Sequence, residues 1–204
     1  MQQSIKIGVL AFHGDVIEHI LSLKKAASKL NLSMEVLSVR TKKDIDHIDG
    51  LIIPGGESTT LYKLCEREGM LESIKKIKNI FGTCAGAILM AKAINNKTKD
   101  QKTLELMDIE IDRNAYGRQT DSFEKPIETS LGNLLAVFIR APKIKSIGKS
   151  IIVIAKDADE IIACEQNISG CYYLALCFHP ELTSTLFHEH FLKKISLNFT
   201  STQS

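Results

Sequence analysis

The stretch Phe81-Gly82-Thr83-Cys84-Ala85-Gly86 constrains the fold of this chain more than any other. It follows Ile77-Lys78-Asn79-Ile80-Phe81, which reads as the end of a buried strand. It opens Ala85-Gly86-Ala87-Ile88-Leu89-Met90-Ala91-Lys92-Ala93-Ile94, whose good helix formers predict a helix. Cys84 then occupies a sharp strand-to-helix turn, with Gly82 and Gly86 permitting strained backbone angles and close packing. A thiol at a helix N-terminus is also biased towards thiolate by the helix dipole. A buried structural cysteine fits the same hexapeptide, so the rest of the chain has to choose between the two.

Segments to either side set the architecture. Ile5 to Phe12 reads as a first buried strand, and the turn His13-Gly14-Asp15 leads into a helix with apolar Val16, Ile17, Ile20, Leu21, Leu23, Ala27 and Leu30. Met34 to Val39 and Gly50 to Ile53 are further strands, the latter running into Pro54-Gly55-Gly56-Glu57-Ser58. Helices are predicted over Leu61 to Glu68 and Leu71 to Lys78. This alternation predicts an α/β fold, a three-layer sandwich around a mostly parallel sheet. Ligands of such sheets bind beyond the carboxyl ends of the strands, where the turn after Phe12, the Pro-Gly-Gly turn and the Cys84 turn would meet. After a polar Lys97 to Lys102 loop, period-2 segments at Leu104 to Ile111, Leu135 to Ile139, Ile151 to Ala155, Glu160 to Cys164 and Tyr173 to Phe178 predict an antiparallel or mixed extension. Leu186 to Leu197 closes the fold as an amphipathic helix. A single domain over residues 1–198 with a disordered polar tail at 199–204 is expected.

Charge and cysteine content narrow the function. A net charge of +2 gives no argument for nucleic acid, and the Lys75, Lys76 and Lys78 run reads as a solvated face. No uncharged run reaches the length of a membrane helix, and no basic-then-apolar leader precedes Ile5. Five cysteines without a C-x-x-C pair argue against a disulfide framework or zinc site and for a reducing cytoplasm.

A cysteine nucleophile needs a base, and the base an orienting acid. Phe178-His179-Pro180-Glu181 follows a strong strand, and residues two apart in extended chain project to one side. His179 and Glu181 can thus pair, leaving the second imidazole nitrogen for Cys84; a surface turn or a metal pair are the competing readings. His47, His188 and His190 read as polar or helical surface residues. Gly55 and Gly56, free of side chains after a strand, with Gly56 favoured, and Ala85, just past the cysteine, supply candidate backbone N–H donors for an oxyanion hole; a plain Gly-Gly turn is the competing reading.

Together, Pro54-Gly55-Gly56-Glu57-Ser58, Phe81 to Gly86 and His179-Pro180-Glu181 resemble the class I (triad-type) glutamine amidotransferases, whose fold is flavodoxin-like. Arg113-Asn114-Ala115-Tyr116-Gly117-Arg118-Gln119-Thr120-Asp121-Ser122-Phe123 and Phe138-Ile139-Arg140-Ala141-Pro142 narrow the resemblance to the glutaminase subunits of pyridoxal 5′-phosphate synthase. The resemblance implies hydrolysis of L-glutamine to glutamate and ammonia through a thioester on Cys84, with His179 moving protons and Glu181 orienting it. It implies glutamine binding by Gly56, Glu57, Ser58, Arg113, Ile139 and Arg140, without saying which arginine takes the α-carboxylate. Arg118 and Asp121 read alternatively as a structural ion pair. The implied partner is a barrel-shaped synthase subunit, in complexes of up to twelve synthase and twelve glutaminase subunits. No cofactor, metal, nucleic acid or membrane is expected.

His13 stands where that family carries glutamine, near the oxyanion hole. Two further readings follow: a weakly active regulatory subunit, or a cysteine hydrolase or peptidase of a related α/β group.

Overall fold

The computed structural model describes residues 4–97, 99, 101–113 and 122–201, the last four for backbone only. Five strands, β1 (Ile5–Leu10), β2 (Met34–Val39), β3 (Gly50–Ile53), β4 (Asn79–Thr83) and β12 (Cys171–Leu176), pair in parallel in the order β2-β1-β3-β4-β12. Ile7, Val9, Leu51, Ile52, Ile80, Phe81, Leu174 and Leu176 are fully or almost fully buried. Near-continuous apolar runs are what strands covered on both faces require, and each such side chain contributes about 1.5–3 kcal/mol.

The helices form the outer layers. Phe81 and Thr83 face α1 (Val16–Lys29) and α5 (Leu186–Ser201): Phe81 stacks edge-on to His19 and His188, and tilted to Phe191. Gly82 points the other way, where a Cβ would collide with Gly86 and Met90 of α4 (Ala85–Met90). Helix α2 (Ser58–Arg67) packs beside α4, and α3 spans Leu71–Ile74. The expected three layers are present.

Beyond β12 the sheet turns antiparallel through β11 (Glu160–Ile168), β10 (Ile151–Asp157), β7 (Ser122–Thr129) and β8 (Gly132–Ile139). Strands β5 (Ala91–Asn95), β6 (Met107–Asp112) and β9 (Lys143–Ile147) branch from β11 as a side arm. A mixed extension is therefore present as expected, with β5, β7 and β9 added to it, but Tyr173 to Phe178, read as part of it, instead falls in the parallel half, where β12 pairs with β4.

Several elements differ from the sequence reading. The helix after Cys84 ends at Met90, and residues 91–95 turn at once into β5, because Ala91 is extended and pairs with Met107. A short apolar run suits both periods, and the pairing decides. Only Leu71–Ile74 of the segment expected up to Lys78 is α-helical. On α1 the buried residues are His19, Ser22, Leu23, Ala26 and Ala27, while Ile17 and Leu21 face solvent. Buried polar partners turn the helix: Ser22 Oγ donates to the Glu181 carbonyl, and His19 bonds Thr83 and His188. Helix α5 runs on to Ser201, past the Leu197 at which the apolar pattern stops, and residues 202–204 lie outside the described residues. Among the described residues no helix is long and apolar enough to cross a membrane.

Candidate active site

The parallel strands β1, β3, β4 and β12 end at one edge, and the loops leaving them meet there. Cys84 caps α4 with φ 49° and ψ −105°, outside the regions ordinary residues favour. Neighbours over-determine this geometry: the Cys84 N–H donates to the Leu176 carbonyl at 2.8 Å, and Cys84 O accepts from Ile88 N. A Cβ on Gly86 would collide with the Ile53 carbonyl, so only glycine lets α4 sit this close to the end of β3. The Cys84 thiol donates to the Ile139 carbonyl at 3.8 Å.

His179 leaves β12 with its N–H bonded to the Val137 carbonyl at 2.9 Å. Its Nδ1 lies 2.8 Å from Glu181 Oε1, both residues being buried. The one-residue spacer is Pro180, at the start of a 3₁₀ turn over Pro180–Leu182. Residues two apart thus meet here through a turn rather than through extended chain. Nδ1 has a second carboxylate neighbour, Asp15 Oδ2 at 2.9 Å, a contact the sequence reading missed. Burial opposes a charged imidazole, but Asp15, Cys84 and Glu181 together raise the His179 pKa well above its ordinary value. Burial likewise opposes the Glu181 carboxylate, and His19 and His179 outweigh it and hold its pKa far down. His179 Nε2 is buried without a hydrogen bond, although Cys84 is near enough to act on the ring. Asp15, His179 and Glu181 place their donor atoms within 4.8 Å of one another, a spacing a cation would tolerate, but the Nδ1 proton fits between these oxygens as it stands.

The Pro54-Gly55-Gly56 turn lies directly on these groups. A Cβ on Gly55 would enter the His179 ring, and one on Gly56 would enter the His13 ring. Gly56 has φ 130°, a conformation open to glycine. His13 Nε2 is buried and unpartnered, and burial lowers the His13 pKa against the opposing pull of Glu57. The imidazole beside Gly56 is therefore neutral near pH 7.

The other expected residues form a polar wall. Glu57 caps α2, accepting from Thr59 N at 3.0 Å and Thr60 N at 2.6 Å. Arg113 donates to Glu57 at 3.2 Å and to Gln101 at 2.7 Å, and Gln101 donates to Ser58 Oγ at 3.0 Å. Gln101, expected in a solvated loop, is buried as the bridge between Ser58 and Arg113. Ile139 ends β8 beside the thiol, and Arg140 follows with φ 46°, exposed and without an ion pair among the described residues. Arg118 and Asp121 lie outside the described residues.

The remaining histidines depart from expectation. His188, read as a surface residue, is fully buried against His19, and His190 bonds Glu165 Oε2 at 2.7 Å. His19 lies 3.4 Å from Glu181 Oε1, and the only sequence signal for it was a histidine on the buried side of a helix. Cys65 and Cys164, buried in the core, have thiols pushed up to about 12 by desolvation, and Cys177 is likewise raised.

Comparison with known proteins agrees with this geometry. The sequence model of the SNO glutamine amidotransferase family matches residues 9–197. The pyridoxal 5′-phosphate synthase subunit PdxT of Pyrococcus furiosus is 43% identical over 200 residues, which cover 94% of this chain and 99% of the relative. The PdxT of Methanosarcina barkeri is 44% identical over 203 residues, covering 95% and 100%. A crystal structure of a glutamine amidotransferase superposes with a TM-score of 0.80 at 37% identity, covering 93% of this chain and 98% of that one. With the motifs, the fold and these matches in accord, the chain belongs to the SNO glutamine amidotransferase family.

Proposed function

We propose that this protein is the glutaminase subunit of a pyridoxal 5′-phosphate synthase, with Cys84, His179 and Glu181 as its triad. The supporting observation is a strained cysteine at a strand-to-helix turn beside a buried histidine whose Nδ1 lies 2.8 Å from a buried carboxylate. The Cys84 sulfur attacks the side-chain amide carbon of L-glutamine as a thiolate, its proton having passed to His179 Nε2. The carbonyl oxygen becomes an oxyanion facing the N–H groups of Gly56 and Ala85. As the intermediate collapses, the C–N bond breaks and His179 gives its proton to the leaving nitrogen, which departs as ammonia. Water then attacks the thioester, returning a proton to His179 and releasing glutamate and the thiolate. Glu181 stays ionised throughout and holds the imidazolium.

Gly56, Glu57, Ser58, Arg113, Ile139 and Arg140 line the glutamine site. Arg113 is already engaged by Glu57 and Gln101, so Arg140 is the better candidate for the substrate α-carboxylate. The relatives' name makes them subunits of a synthase, and ammonia lost to water would be protonated and diluted. The product therefore passes to the synthase subunit, in an assembly of up to twelve copies of each. Free thiols and the absence of a disulfide among the described residues suit a reducing cytoplasm.

A second reading, a weakly active regulatory subunit, draws on the neutral His13 imidazole against Gly56. Glutamine hydrolysis measured with and without the synthase subunit, for the wild type, Cys84→Ala and His13→Gln, separates the two. Synthase-dependent ammonia release that Cys84→Ala abolishes supports the glutaminase. Failure of a glutamine-analogue electrophile to label Cys84 in the complex supports the regulatory subunit.

A further inference from the structure

We infer that His19 is a positioning residue for the triad, its Nε2–H facing Glu181 Oε1 and keeping that carboxylate under His179, and that His188 fixes the tautomer in which it does so. The inference rests on the triad assigned above.

His19 lies on the second turn of α1 and His188 on the first turn of α5, and both are fully buried. His19 Nδ1 is 3.0 Å from His188 Nε2. Its Nε2 is 3.1 Å from Thr83 Oγ1 and 3.4 Å from Glu181 Oε1. Phe81 closes the remaining side edge-on. Three elements, β4, α5 and the turn after β12, therefore converge on one imidazole.

Proton placement follows from what is unpartnered. Burial holds the His188 pKa down at about 3, so this ring is neutral and carries one N–H. His188 Nδ1 is buried with no hydrogen-bond partner. An orphaned acceptor costs less than an orphaned N–H, so the proton sits on Nε2 and donates to His19 Nδ1. His19 Nδ1 is then the acceptor, which leaves the His19 proton on Nε2, facing Thr83 and Glu181. The opposite arrangement would aim a lone pair at the Glu181 carboxylate and strand a donor on His188. The proton order therefore runs one way: His188 Nε2–H donates to His19 Nδ1, and the His19 Nε2–H faces Thr83 Oγ1 at 3.1 Å and, at 3.4 Å, Glu181 Oε1, the same oxygen that accepts from His179 Nδ1.

Glu181 needs this anchor because His179 has a choice. Asp15, half-exposed at the start of α1, offers a second carboxylate 2.9 Å from the same Nδ1. Asp15 and His19 also share a helical turn, the His19 N–H donating to the Asp15 carbonyl at 3.1 Å. With Glu181 held from below, the imidazole keeps its plane towards Cys84. Without that hold it swings towards the carboxylate nearer water.

The test uses the full chain in complex with the synthase subunit. In the wild type, ¹⁵N NMR of the ring nitrogens should find both His19 and His188 protonated on Nε2; a proton on His188 Nδ1 overturns the inference. His19→Leu should lower kcat about 10- to 100-fold with little change in KM, as loss of an orienting group does elsewhere. It should also move the acid limb of the kcat/KM profile to higher pH, since Glu181 loses a group that favours its charge. His19→Gln, which keeps an N–H near the original position, should recover most of the rate and the original profile. Should His19→Leu not fold, His188→Phe takes its place, with a several-fold loss of kcat and the same direction of pH movement. A folded variant with wild-type kcat and pH profile overturns the positioning role alone. Retained turnover in Cys84→Ala would instead overturn the triad, and the inference with it.

Discussion

The two walls of the site are built on opposite principles. On one side Cys84, His179, Glu181, His19 and His188 come from β4, β12, α1 and α5, and all are buried. On the other, Glu57, Arg113 and Arg140 come from the α2 N-terminus and the ends of β6 and β8, with side chains reaching solvent. Burial makes each charge on the first wall depend on a partner, so the proton arrangement is fixed before substrate arrives. Solvent screens the second wall, where partners exchange at low cost when a zwitterionic amino acid enters. The proposed assignment thus places chemistry in the rigid half and recognition in the adjustable half.

The largest test of that contrast is Cys84→Ala, which should reduce ammonia release by roughly a million-fold, to background. Activity above a thousandth of wild type would place the nucleophile elsewhere. Next, Glu181→Gln should cost about 10⁴-fold in kcat, because the amide cannot stabilise imidazolium. The same variant tests stability. The raised His179 pKa contributes stability that is complete below its ordinary value of 6.5 and is lost as pH rises through the folded value. The depressed Glu181 pKa contributes stability that is complete above its ordinary value of 4.5 and is lost as pH falls through the folded one. The pair is therefore at full strength between pH 4.5 and 6.5. A Tm profile of Glu181→Gln that keeps the wild-type gain in that window would break the buried-wall half of the comparison.

The adjustable wall should respond in KM. Arg140→Met should raise KM for glutamine about 10- to 100-fold with kcat within a few-fold, the loss expected for charge-assisted bonds to a carboxylate. Arg113→Met should do less to KM and more to Glu57 and Gln101, which lose their shared donor. Steady-state kinetics in which Arg113 proves the more damaging would reverse that assignment. The smallest effect is at Glu57, held at a pKa of about 2: burial opposes its charge, and hydrogen bonds from Thr60 and Thr59 more than offset it. Its stabilisation is present above pH 4.5 and fades as pH falls towards 2. Glu57→Gln should flatten that acid limb of the Tm profile and leave neutral pH almost unchanged.

The parallel half of the fold was legible because its strands are continuous apolar runs and its turns carry glycine where backbones touch, as at Gly86 under the Ile53 carbonyl. The meeting of Cys84, His179 and Glu181 at one sheet edge was legible from turn chemistry and spacing, although His179 and Glu181 meet through a turn and not through extended chain. What escaped depends on contacts distant in sequence. Gln101 is buried only because Ser58 and Arg113 reach it, and His19 and His188 meet from helices 169 positions apart. Ile17 looked like core because apolar side chains usually are, yet it is 67% exposed, since the polar partners of His19 and Ser22 set the rotation of α1. Residues 91–95 were miscast because Ala91, Lys92 and Ala93 favour helix, and the pairing of Ala91 with Met107 in β5 overrides that local preference.

If Cys84 is the nucleophile proposed above, its positive φ makes the fold and the reaction competitors at a single residue. Selection for heat resistance alone would put glycine there and discard the sulfur. With Cys84 as the proposed nucleophile, turnover keeps a poorly suited side chain in place, and the close fit of its neighbours is what the molecule maintains in exchange.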